Sequence, residues 1–183
     1  MRARLEAMWL AAALTAATPA AAAPRGWTPN DWDVQDWDRV SGIVRTGLAG
    51  FSLGTPLLDG EDRAVRRQAK ALLLAGGITF ALKSTIHERR PDGSNNQSFP
   101  SGHTAISFAA AAGLGQRYGW KVGLPAHLLA GFVGLARVKA DKHYWHDVLV
   151  GAAIGEAAGL LLVHKRSKHD TPVPLAASLT LAF

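Results

Sequence analysis

Five stretches of the chain carry apolar residues densely enough to form helices: residues 40–58, 71–86, 104–117, 124–138 and 147–164. Between them lie breakers and charge. Gly54-Thr55-Pro56 is expected to disturb the end of the first stretch, and residues 60–70, with Arg63, Arg66, Arg67 and Lys70, read as a charged turn. Arg89-Arg90-Pro91 ends the second stretch, because a proline disfavours helical geometry in the residue before it. Residues 116–121 read as another turn, and Pro125 falls in the first turn of the fourth stretch, where proline is tolerated. The fifth stretch carries Gly151, Gly155 and Gly159 at four-residue spacing, a pattern that lets two helices approach closely. The expected fold class is all-α, a bundle of about five core helices.

The flanks read differently. Residues 1–23 have a basic start (Arg2, Arg4), an apolar run from Met8 to Leu14 and small residues at Ala20–Ala23, as in a signal peptide or an N-terminal membrane anchor. Pro24 disfavours cleavage directly before it, so cutting is expected after Ala22. Residues 24–39 form an acidic lead with Trp27, Trp32 and Trp37. The lead reads as an irregular surface segment whose aromatics cap the domain; the alternative is a rest in a membrane interface. In the tail, residues 165–183, Leu175, Ala177, Leu179, Leu181 and Phe183 alternate with smaller residues. One strand-like segment cannot build a barrel, so this is expected to be a loosely ordered tail.

Composition narrows the class. Apolar residues make up 48% of the chain and charged ones 19%, which suits one ordered domain. Without cysteine there is neither a disulfide framework nor a thiolate metal site. The net charge of +6 sits in short clusters between apolar stretches rather than on one aromatic-rich face. That favours anionic small molecules and a membrane surface over nucleic acid. The apolar stretches are about 14–19 residues long, close to the lower limit for spanning a bilayer. If residues 1–4 are cytoplasmic and residues 8–23 span, the basic segments 63–70, 117–121 and 164–168 all fall on the cytoplasmic side, as the positive-inside rule asks. The expectation is an inner-membrane protein with its motif-bearing ends facing the periplasm; the alternative is a soluble periplasmic bundle.

Those ends hold the chemistry. Phe99-Pro100-Ser101-Gly102-His103 closes a polar loop and opens an alanine-rich helix. A helix start offers unpaired N–H groups and a positive dipole end, hence an anion site, with Ser101 Oγ and the Gly102 N–H as further donors. Upstream stands Lys83 with Arg90-Pro91; downstream stand Arg137, His143 and Asp147. The three cations can neutralise the oxygens of a transferring phosphoryl group, arginine with a fork matched to phosphate. No metal or other cofactor is called for by such a cradle. Asp147, four residues after His143, can face it on a helix and hold one ring nitrogen. His87 and His146 match no motif position and read as non-catalytic.

In order, Lys-x6-Arg-Pro, Pro-Ser-Gly-His and Arg-x5-His-x3-Asp resemble the type 2 phosphatidic acid phosphatase (PAP2) superfamily, which also holds bacterial acid phosphatases and vanadium haloperoxidases. The resemblance covers residues 40–164. It implies an acid phosphatase/vanadium-dependent haloperoxidase-like helical fold. It implies His143 as the nucleophile that becomes phosphohistidine and His103 as the acid that protonates the leaving alkoxide and then activates water. Lys83, Arg90, Ser101, Gly102 and Arg137 would bind the phosphate. Two departures stand out: Ala136 occupies a position where the family often has serine, and only eight residues separate Pro91 from Pro100, leaving little room for a large recognition insert.

The expected function is therefore a metal-independent phosphatase. It would act on lipid phosphates such as phosphatidic acid, phosphatidylglycerol phosphate or an isoprenyl diphosphate, without an obligate protein partner. The competing readings are a soluble, non-specific acid phosphatase, a vanadate-dependent haloperoxidase and a non-catalytic anion-binding membrane protein.

Overall fold

The computed structural model describes residues 32–165; the signal-like segment and most of the tail lie outside them. Among the described residues the chain forms five helices and no strand: α1 (Val34–Leu58), α2 (Asp62–Thr85), α3 (Gly102–Tyr118), α4 (Trp120–Lys139) and α5 (Trp145–Leu162). The all-α expectation holds, but the helices outrun it. α1 starts inside the lead segment, where Asp33 caps it by accepting from Gln35 N and Asp36 N. It also runs through Pro56 to Leu58. Trp27 of the lead lies outside the described residues; of the other two tryptophans, Trp32 meets Trp37 edge-on, and Trp37 lies 6.1 Å from the ring of Phe132 on α4.

Two expected turns are mostly helix. Residues 62–70 belong to α2, because their arginines and lysine are good helix formers and no breaker follows Gly60. Ala64, Gln68, Ala71, Ala75 and Thr79 give α2 a buried stripe at helical spacing. Its small and polar residues hid it from a reading based on large apolar ones. Likewise α3 and α4 are separated by Gly119 alone, at φ 83°, ψ −177°, a conformation open essentially to glycine.

α3 is the central helix, packed against the other four. Its buried face is Thr104, Ala105, Ser107 and the run Ala109–Leu114, small side chains throughout except the last. The glycine stripe of α5 lies on it. A methyl group on Gly151 would stand 2.5 Å from Ser101 O, one on Gly155 would collide with Ala105 O, and one on Gly159 would come 2.5 Å from Ala112 Cβ. The close approach expected of the four-residue repeat is thus an approach to the backbone of α3.

Large apolar side chains are distributed the other way. Leu73, Phe80 and Leu161 are 74%, 75% and 71% exposed, and Leu128 and Leu149 also face outward. Alanine, glycine and serine fill the inside while leucine and phenylalanine coat the outside, the arrangement of a bundle solvated by lipid. α4 and α5 are each long and apolar enough to cross a membrane.

Candidate active site

Antiparallel alternation brings the start of α1, the end of α2, the start of α3, the end of α4 and the start of α5 to one end of the bundle. The three motifs meet there. Lys83, in the last turn of α2, lies within electrostatic reach of Arg90, Asp147 and Arg137. His103, in the first turn of α3, lies within reach of Arg137, Arg45, His143 and Asp38. All the motif residues expected from sequence therefore belong to one cluster.

At the centre is the pair of His143 and Asp147. His143 is buried and Asp147 fully so; Nδ1 of the ring is 3.3 Å from Asp147 Oδ2. That oxygen also accepts from Ser98 Oγ at 2.5 Å and from Tyr144 N at 2.9 Å. The carboxylate both closes the start of α5 and orients the histidine, leaving Nε2 as the ring nitrogen available for chemistry. Burial holds the imidazole of His143 below its ordinary value; Asp147 pulls it up, while Arg137, Lys83 and Arg90 push it down further.

The three cations are held differently. Lys83 Nζ donates to Gln97 O at 2.6 Å and Ser98 O at 3.0 Å, tying the end of α2 to the polar loop. Arg137 is buried, with Nη1 donating to Asp38 Oδ1 and, at 3.2 Å, to Ser41 Oγ. The Nε atoms of both Arg90 and Arg137 are buried without a protein hydrogen-bond partner. An unpaired guanidinium N–H is costly unless an anion completes it, and two converge here.

Ser101 caps α3: its Oγ lies 2.9 Å from Thr104 Oγ1 and accepts from Thr104 N at 3.5 Å. Among the described residues, the N–H groups of Gly102 and His103 have no protein acceptor, as an anion site at a helix start requires. The loop is stitched to its neighbours. Ser101 N donates to Asp147 O, Asp92 N to Asp141 O, and Lys142 Nζ to Asp92 Oδ2 at 2.6 Å.

Four residues near the site match no motif: Asp38, Ser41 and Arg45 on α1, and Ser98 in the loop. The three on α1 follow i, i+3, i+7 spacing, so one helix face carries them all. That spacing was legible in the sequence, whereas Ser98 carries no such signal. His87 is exposed, outside these contacts. His146 is also exposed, yet it touches Asp147.

The geometry agrees with the family comparison. The PAP2 superfamily pattern matches residues 65–170, more than half of the chain and all three motifs. The chain belongs to the PAP2 superfamily. It is 38% identical over 96 residues to a lipid A 1-phosphatase of Porphyromonas gingivalis, covering 51% of this chain and 22% of the relative. It is 33% identical over 114 residues to a lipid A 4'-phosphatase of Helicobacter pylori, covering 56% and 58%. Thus the matched segment spans about a fifth of the first relative and just over half of the second. A putative phosphatidate phosphatase of Drosophila melanogaster is 38% identical over 79 residues, 37% of this chain and 21% of the relative. The crystal structure of Aquifex aeolicus LpxE superposes with a TM-score of 0.52 at 23% identity, covering 73% of this chain and 97% of that one. At that identity the likeness speaks for the fold.

Proposed function

We propose that this PAP2 protein is a metal-independent phosphatase of membrane lipid phosphates, working through a phosphohistidine on His143 with its site at the periplasmic face. The observation that carries the reading is the convergence of the Arg90 and Arg137 guanidinium groups, each with a buried unpartnered Nε, beside a histidine oriented by a buried aspartate. Two named lipid A phosphatases among the relatives and the outward-facing leucines and phenylalanines support a lipid substrate.

In this reading the phosphate lies between Lys83, Arg90, Arg137 and the N–H groups of Gly102 and His103. Ser101 Oγ adds a donor when it turns from Thr104. His143 Nε2 attacks phosphorus in line with the leaving oxygen, and Asp147 stabilises the cationic ring through Nδ1–H. His103 gives its proton to the leaving alkoxide, so that P–Nε2 forms as P–O breaks. It then takes a proton from the water that splits the phosphohistidine. Burial, Arg137 and Arg45 all work against a protonated ring at His103 before substrate binds, and the negative charge of the bound phosphate is what opposes them.

The test is a panel of lipid A phosphates, phosphatidic acid, phosphatidylglycerol phosphate, an isoprenyl diphosphate and soluble aryl phosphates, each assayed in EDTA. Turnover of at least one lipid, undiminished by chelation, is expected. Activity that needs a divalent ion would overturn the three-cation cradle. Preference for soluble esters, with release of the protein by carbonate washing of membranes, would favour the soluble acid phosphatase.

A further inference from the structure

His146 stands between the catalytic pair and solvent. Its Nε2 is 3.1 Å from Asp147 Oδ1 and 2.9 Å from Glu88 Oε1. Its ring stacks on Tyr144 at 5.4 Å with an 8° tilt, and on Phe99 at 6.0 Å. Glu88 is fixed by its own backbone, whose carbonyl accepts from Ser98 N at 2.9 Å.

The two oxygens of Asp147 are served unequally. Oδ2 receives Ser98, Tyr144 N and His143. Oδ1 is buried and finds no well-aligned donor, with His146 Nε2 its near neighbour. The Nε2–H is aligned on Glu88 Oε1 and only leans on Asp147 Oδ1, so losing it takes away a weak polar contact from a buried oxygen that is already under-satisfied. The group would then rotate to share the Oδ2 donors, and the contact to His143 would loosen.

We infer that His146, braced by Glu88 and stacked between Tyr144 and Phe99, is a positioning residue that holds the rotation of Asp147 and through it aims the His143 nucleophile. This rests on the reading of His143 above. The residue touches no reacting atom. It acts on the step in which the P–Nε2 bond forms, and leaves the phosphate cradle of Lys83, Arg90 and Arg137 intact.

The experiment compares His146→Leu, which keeps much of the volume without a donor, with His146→Gln, which is likewise without a ring but whose amide nitrogen can stand where Nε2 stood. Each is purified in detergent, checked for an unchanged melting temperature, and assayed on one lipid phosphate found to be turned over. His146→Leu is expected to lose about tenfold in kcat, the scale of one polar contact to a buried charged group, with KM within about twofold because the cradle is untouched. His146→Gln should recover most of that loss.

Glu88→Ala gives a second reading. Its smaller loss in kcat should vanish in the His146→Leu background, since the two act as a unit. Wild-type kcat in His146→Leu, equal losses in the Leu and Gln variants, or a loss confined to KM would each overturn the proposal. Those outcomes differ from failure of the functional reading itself, which would show as turnover persisting in His143→Ala.

Discussion

The two ends of the bundle are built on opposite principles. At the end away from the site, α3 joins α4 through Gly119 alone, and α1 joins α2 through Asp59, Gly60 and Glu61. An Arg117–Glu61 ion pair and a Tyr118–Asp59 hydrogen bond close that end. At the site end the connections are long, residues 86–101 and 140–144, and hydrogen bonds run from loop to loop as well as from loop to helix. The tight end fixes how the helices meet. The open end spends its chain length on placing a carboxylate, two histidines and three cations around one point. Both ends rely on the same α3–α5 seam, whose missing side chains let two backbones touch.

The largest expected effect is at the open end. His143→Ala should lower kcat by about 10⁴-fold or more, as loss of an attacking group does, while phosphate protection against thermal unfolding persists through Lys83, Arg90 and Arg137. Residual turnover within tenfold of wild type would remove His143 from the chemistry.

Next comes the shared seam. Gly155→Val places side-chain atoms against Ala105 O and should destabilise by more than about 4 kcal/mol. The checks are yield and melting temperature in detergent, and a well-folded, active variant would mean that α5 does not lie on α3 in this way.

The tight end should yield stability without function. Gly119→Ala must adopt a glycine-only conformation and should cost about 1–3 kcal/mol. Measured kcat below the lowered melting temperature should be unchanged. A drop in kcat with no change in melting temperature would break the division between the ends.

The smallest expected change is one of pH. Burial and the neighbouring cations hold His143 below its ordinary value, so the ring stays neutral and nucleophilic as pH falls through the usual histidine range of about 6.5. With an aryl phosphate, whose leaving oxygen needs no proton from His103, and after correction for substrate ionisation, kcat/KM should change by less than about twofold between pH 7 and 6, and its acid limb should lie lower. An acid limb centred at or above the ordinary value would show that the environment of His143 is not the desolvated one described.

The sequence made the site end readable and concealed much of the bundle. The motifs announced Lys83, Arg90, His103, Arg137, His143 and Asp147, because a phosphate cradle needs rare residue types in a fixed order. The glycine repeat of α5 announced its seam. The first turns of α2 were lost because Ala64, Gln68 and Ala71 form a buried stripe that hydropathy does not register. Asp38, Ser41 and Arg45 went unread because no motif contains them, although they share a helix face. His146 looked dispensable for the same reason, and only the fold shows it beside the unaligned oxygen of Asp147.

The central claim is that His143 forms a covalent bond to phosphorus. Rapid acid-free quenching of the enzyme during turnover of a lipid phosphate, followed by peptide mass spectrometry, tests it most directly. The account predicts a phosphoryl group on the peptide bearing His143, labile to acid, stable to base and absent from His143→Ala. In the His103→Ala enzyme it should accumulate when an aryl phosphate, which needs no acid, is the substrate. Full turnover with no phosphoryl group on any histidine, or one on a residue other than His143, would contradict it.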